Sequence, residues 1–196
     1  MEETSLFFAE YKQVSIGVHV LAVVVGMGSS LVSDALFNRF IADFRIDKIE
    51  HGVFSTLSRV IWWSLFFMLI SGVAIFLSDV AGYSNSDKFL AKMTIVLFII
   101  ANGFFFRIHI DPSLKKINFS DTNNRHKYVK IRKLSFAFGA VSVVSWLCAC
   151  VLALYKGSQF SYGTIMLAYL VSVAVGILAS QILEKIIVRR AVESRQ

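Results

Sequence analysis

The chain has 196 residues, 56% of them hydrophobic, with 18 Phe, a single Pro and a formal net charge of +7. Five apolar runs fill most of that length and leave no room for a second domain, so residues 1-196 are expected to form one all-α, polytopic membrane domain. In a soluble protein such positive charge would suggest nucleic acid; here topology and anionic lipid account for it, the bilayer is the expected partner, and nucleic acid is not.

The first run, Val14 to Phe37, is too long and too late for a secretory signal. The residues before it, Glu2, Glu3, Glu10 and Lys12, are mostly acidic, so it is expected to be retained. Val60 to Leu77, Phe89 to Ile110, Leu134 to Leu154 and Tyr162 to Leu183 follow, each close to the ~20 residues that cross a hydrocarbon core. Before the second run, Asp47 and Glu50 stand at capping-box spacing, which predicts a helix from about Lys48 running into that span. Asp111-Pro112 ends the third run, since Pro cannot continue a helix without losing a hydrogen bond, and a short turn through Ser113 to Ile117 is expected after it. Asp121 to Asn124 is the clear polar linker, and Lys127 to Lys133 should extend the fourth helix. The connections Ser78 to Lys88 and Tyr155 to Ser161 are short, so the runs they join should be antiparallel neighbours.

Of the 20 Lys and Arg residues, 16 fall in the loop after the first run, the loop after the third and the tail; only Lys12, Lys88, Lys92 and Lys156 lie on the other side. The positive-inside rule then puts the N-terminus outside and the C-terminus in the cytoplasm, with His19 and Lys92 toward the outer face and His51, His109 and His126 toward the inner one. The fifth run carries small residues at four-residue steps, Ala168, Ser172, Gly176 and Ser180, ending at Glu184; such a stripe marks close backbone approach, to the chain's own bundle or to a second copy. Cys148 and Cys150 are about 200° apart on a helix, which rules out a shared metal or a bridge and leaves packing.

Two ionisable residues sit a turn or so inside apolar runs at the same expected depth: His19 and Lys92. His19 shares a helical face with Ala22, Gly26, Ser30 and Ser33, a column that leaves a groove for a planar macrocycle or a close helix neighbour. The bland alternatives are a hydrogen-bonded interfacial histidine and a lysine that lifts its ammonium to water. Lys92 and His109 are about 25 Å apart along one straight helix, so no inner histidine can share a haem with His19; its iron would be five-coordinate or completed by Met27, Lys92 or water. The three inner histidines lack ligand spacing and read as loop residues or a second metal site. Asp34 could be reached by Arg59 as an interfacial ion pair, or serve as a proton-carrying carboxylate. Trp62, Trp63, Phe66 and Phe67 read as lipid-facing or packing residues.

Val18 to Val23, Arg59-Val60-Ile61-Trp62 with Ser71-Gly72, Phe89-Leu90-Ala91-Lys92 and Arg125-His126-Lys127-Tyr128 together resemble the bacterial integral-membrane protoporphyrinogen oxidases of the HemJ type and, more distantly, the CopD-like copper-resistance membrane proteins. The resemblance covers Val14 to Lys156 (residues 14-156), with residues 162-185 as an added fifth helix. It implies a tetrapyrrole site in which His19 and Lys92 are the functional, catalytic residues, His19 as iron ligand, with Gly26 beside the cofactor and haem b or a porphyrin bound. This chain departs from the family pattern after the histidine, where Gly26-Met27-Gly28 and Ser33 to Phe37 replace an aromatic and a Leu-Pro-Arg stretch. Lys133 or Leu134 stands where an acidic residue is usual. A redox protein in a bacterial cytoplasmic membrane follows, with an electron-transfer partner or a homo-oligomer as possible partners. The alternative is a non-enzymatic membrane subunit or a copper or small-ion permease, for which Met27 and His19 would be the contacts.

Overall fold

A computed structural model describes residues 7–42, 48–110, 112, 125–155 and 160–193, and those residues contain helices and no strand. Five long helices cover the five apolar runs: α1 (Lys12–Ala42), α2 (Lys48–Leu77), α3 (Asp87–Phe105), α4 (Arg125–Leu154) and α5 (Tyr162–Glu193). Each is long and apolar enough to cross a membrane. α2 starts at Lys48, as the capping spacing predicts, although Asp47 itself lies outside the described residues. α4 takes in the expected extension and starts at Arg125. The turn from Ser113 to Ile117 and the linker from Asp121 to Asn124 also lie outside the described residues.

The third span does not end as a plain α-helix. Past Phe105 it widens into one π turn, Phe106–Ile110, just ahead of Asp111-Pro112. The added residue per turn keeps Phe106 and Arg107 on the same face as Ile99, Asn102 and Gly103, a displacement often seen where a helix borders a functional cavity. Between α2 and α3, a short helix Val80–Ser84 is capped by Asp79, whose side chain accepts from the Gly82 amide. Ser86 caps α3 through the Phe89 amide.

α1 and α2 run against each other along most of their length, and α4 and α5 do the same. The second and third spans differ from expectation. Their short connection makes them antiparallel, but their backbones stay apart and they meet through large side chains: Phe76 stacks on Phe89 with centroids 5.3 Å apart, and Leu65 and Met68 share a core with Ile95 and Ile99. That core, completed by Ala22, Trp146 and Tyr169, draws on all five helices. A second cluster, with Phe37, Ile110, Ile131 and Phe136, lies at the opposite end from His19.

α4 is the hub, and polar ties reach it from three helices. Ser30 of α1 meets Ser142 at 2.9 Å, Asn102 of α3 donates to the Phe138 carbonyl at 3.0 Å, and Tyr169 of α5 meets Ser145 at 2.8 Å. A membrane interior offers no water as an alternative partner, so these bonds fix which faces meet. Further along, Arg132 and Glu184 form a buried ion pair at 2.5 Å and Gln181 donates to the Lys133 carbonyl. Of the small-residue stripe on α5, Gly176 docks on α4, since a Cβ there would stand 2.7 Å from Val144 Cγ2; Ala168 and Ser172 stay exposed.

Candidate functional site

The antiparallel register of α1 and α2 brings His19 against Met68 and Ser71. Its Nδ1 lies 3.0 Å from the Met68 carbonyl oxygen and 3.1 Å from Ser71 Oγ. The Ser71 hydroxyl donates to the Phe67 carbonyl at 2.7 Å, which leaves its oxygen to accept. A carbonyl only accepts, so this pattern assigns the ring proton to Nδ1 and leaves the lone pair on Nε2. Gly72 borders the ring, and a Cβ there would stand in van der Waals contact, 3.4 Å from His19 Cε1.

Lys92, half-buried on α3, lies within Coulombic reach of His19 and of Lys88. The two residues singled out by the sequence therefore sit at the same end of the bundle. None of the ion pairs among the described residues involves Lys92. Gly26 has a different place. A Cβ there would stand 2.9 Å from the Trp146 ring and 3.1 Å from Ser64 Cβ, so the groove below His19 is filled at Gly26 by the neighbouring helices. Of the two uses that the column of small residues allows, this level shows the close helix neighbour. Met27 is eight residues, about 12 Å, along α1 from His19, and its sulfur takes the Cys150 thiol at 3.6 Å, so it does not reach a metal on His19. Both cysteines are free and half-buried in the packing, as expected.

Toward the other end, the first four helices line a cavity of about 270 Å³, mostly apolar but with a cluster of polar side chains. Its walls include Ser30, Ser33 and Asp34 from α1, Ser55, Ser58 and Arg59 from α2, Asn102 and Arg107 from the third span, and Ser142 and Trp146 from α4. Asp34 does not make the ion pair with Arg59 that the spacing allows. Its Oδ1 is pressed toward Gly139, where a Cβ would lie 2.6 Å away, and its Oδ2 is buried without a partner. Arg59 is exposed and turns instead to Thr56 Oγ1 at 3.4 Å, reaching along its own helix toward the chain's more basic end. Trp146 is 1% exposed and its Nε1 also has no partner.

His51 lines this cavity, whereas His109 sits exposed on the π turn with Nδ1 3.3 Å from the Phe105 carbonyl. The side chain of His126 lies outside the described residues. Among the described residues, no three His, Cys, Asp or Glu side chains gather as a metal site. Trp63, Phe66 and Phe67 are exposed on the flank of α2 as expected, while Trp62 turns inward to the cavity.

The cavity, Trp146 and the Arg132–Glu184 pair escape a reading by apolar runs. The available signal was polar residues recurring inside those runs, Ser30, Asp34, Asn102 and Ser142. Compared with protein-family models, curated proteins and solved structures, the chain matches none.

Proposed function

We propose that the chain is a membrane redox protein that binds a haem or another tetrapyrrole through His19 and Lys92, with protoporphyrinogen oxidation as its enzymatic form. The observation that carries the reading is the state of His19. Its Nδ1 is held by the Met68 carbonyl and Ser71, the arrangement that orients an imidazole and presents Nε2 to a metal. His19 would hold the iron, and Lys92, on the same end, would pair with a propionate. When bound, the group supplies one-electron chemistry. Because Trp146 and Ser64 fill the groove at Gly26, a bound macrocycle would have to lie at the level of His19, where Lys92 could reach it. The resemblance of these segments to the HemJ-type oxidases supports the same pair, and the distribution of basic residues supports an outward-facing site in a bacterial cytoplasmic membrane.

An absorption spectrum of the purified protein, with and without added haemin, tests the assignment. A Soret band is expected, lost or strongly shifted in His19→Ala, and retained with weaker haem retention in Lys92→Met. Failure to take up any tetrapyrrole, or unchanged binding by His19→Ala, would overturn it.

A further inference from the structure

At the end of the bundle away from His19, α4 and α5 leave a groove of about 490 Å³ between them. Its charged wall is Arg132 and Lys133 from α4 and Glu184, Lys185, Arg189 and Glu193 from α5. Both carboxylates are engaged, Glu184 by Arg132 and Glu193 by Arg189. Lys133 and Lys185 make no ion pair among the described residues, so the groove keeps two positive charges without a counter-charge. They come one from each helix. The antiparallel register sets Arg132 against Glu184 and the Lys133 carbonyl against the Gln181 amide. Lys133 and Lys185 therefore stand at levels about three residues apart, roughly 5 Å of helical rise, and both are exposed. Like charges at one level on facing helices repel, and an anion shared between them removes that cost.

Depth decides what kind of anion. Val129 opens the fourth apolar span and Arg190 closes the fifth, so the groove lies where hydrocarbon gives way to head groups. Val129 and Val188 give it apolar surface beside the charges. From the groove an apolar track continues into the span: Leu178 and Ile182 share a helical face with Lys185 and are 66% and 61% exposed. A soluble anion would meet the two ammoniums and leave that track uncovered. A phospholipid uses both, with its phosphate at the lysines and an acyl chain along Ile182 and Leu178. Basic pockets between spans, at the head-group level, are a known form of lipid recognition. We infer that this groove binds one anionic phospholipid, whose phosphate is held between Lys133 and Lys185. Lys130 and Arg190 are exposed at the same end without lining the groove, and contribute only diffuse attraction.

The test titrates the full chain, purified in a mild detergent, with phosphatidylglycerol or phosphatidylcholine and counts retained lipid by native mass spectrometry. One saturable phosphatidylglycerol adduct is expected, bound in preference to phosphatidylcholine. Lys133→Gln and Lys185→Gln should each weaken it roughly fivefold, and the two together roughly 25-fold. Lys133→Arg with Lys185→Arg keeps both charges and should retain the adduct. Lys130→Gln with Arg190→Gln removes the same charge from the same end and should leave the affinity near that of the parent. A loss in this last variant as large as in Lys133→Gln with Lys185→Gln would overturn the inference, leaving diffuse attraction in place of a site. Equal retention of the two lipids would overturn it as well. Displacement of the adduct by millimolar inorganic phosphate at constant ionic strength would do the same and give the groove to a soluble anion. None of these outcomes bears on haem uptake at His19, which is read from its own spectrum.

Discussion

Glu184→Gln should be among the most damaging conservative changes on α5. The Glu184 side chain is 2% exposed and that of Arg132 10%, and Nε to Oε1 is 2.5 Å. Replacing the carboxylate by an amide of the same shape leaves a guanidinium buried without its counter-charge, and breaking a buried pair from one side costs about 3–5 kcal/mol. Arg132→Met should cost a similar amount by stranding the carboxylate. The double variant Arg132→Met with Glu184→Gln removes both desolvated charges and should recover most of the loss, within about 1–2 kcal/mol of the parent. The exposed pair between Arg189 and Glu193, one to two turns along the same helix, sets the scale: Glu193→Gln should cost at most about 0.5 kcal/mol. Unfolding in mixed micelles, followed by circular dichroism against a denaturing detergent, gives all four values. A Glu184→Gln cost no larger than that of Glu193→Gln, or no coupling in the double variant, would refute the clamp between α4 and α5.

Gly176→Leu should lower stability by about 1–3 kcal/mol, because a side chain there meets Val144 and forces α4 and α5 apart; Ser172→Leu, exposed on the same stripe, should be tolerated, and a Gly176→Leu that keeps monomer stability but abolishes dimers would make the stripe an oligomer contact. With Cys148 and Cys150 replaced, an impermeant thiol reagent added from outside should label a cysteine at Ser84 and spare one at Asn123, since basic residues cluster on alternate loops; the reverse pattern would invert the bundle.

Length and apolarity alone were enough to place five spans, because a bilayer demands about 20 apolar residues and a helix for each crossing, and capping spacing was enough to start α2 at Lys48. The juxtaposition of His19 and Lys92 was legible for a similar reason: depth in the membrane can be counted along each run. What the runs do not encode is azimuth between helices. The column of small residues below His19 allowed either a cofactor or a neighbour, and only the approach of α4 shows that Trp146 occupies it at Gly26. Asp34 and Arg59 were close in depth and both line the cavity, but Asp34 packs on Gly139 of α4 while the Arg59 guanidinium turns to Thr56, so proximity in depth gave no ion pair. A short connection likewise made α2 and α3 antiparallel without making their backbones close; they meet through side chains, as Phe76 does on Phe89.

The fifth helix has a different relation to the cavity from the other four. α5 lines no part of the cavity. It instead ties to α4 through Tyr169 on Ser145, Gly176 on Val144, and Glu184 on Arg132. Those three contacts recur at intervals of seven or eight residues on α5, two helical turns each, so they fall on one face of α5. α4 also presents Gly139, Ser142 and Trp146 to the cavity. Four helices thus line the cavity, while the fifth holds the helix that contributes Ser135, Phe138, Gly139, Ser142 and Trp146 to it.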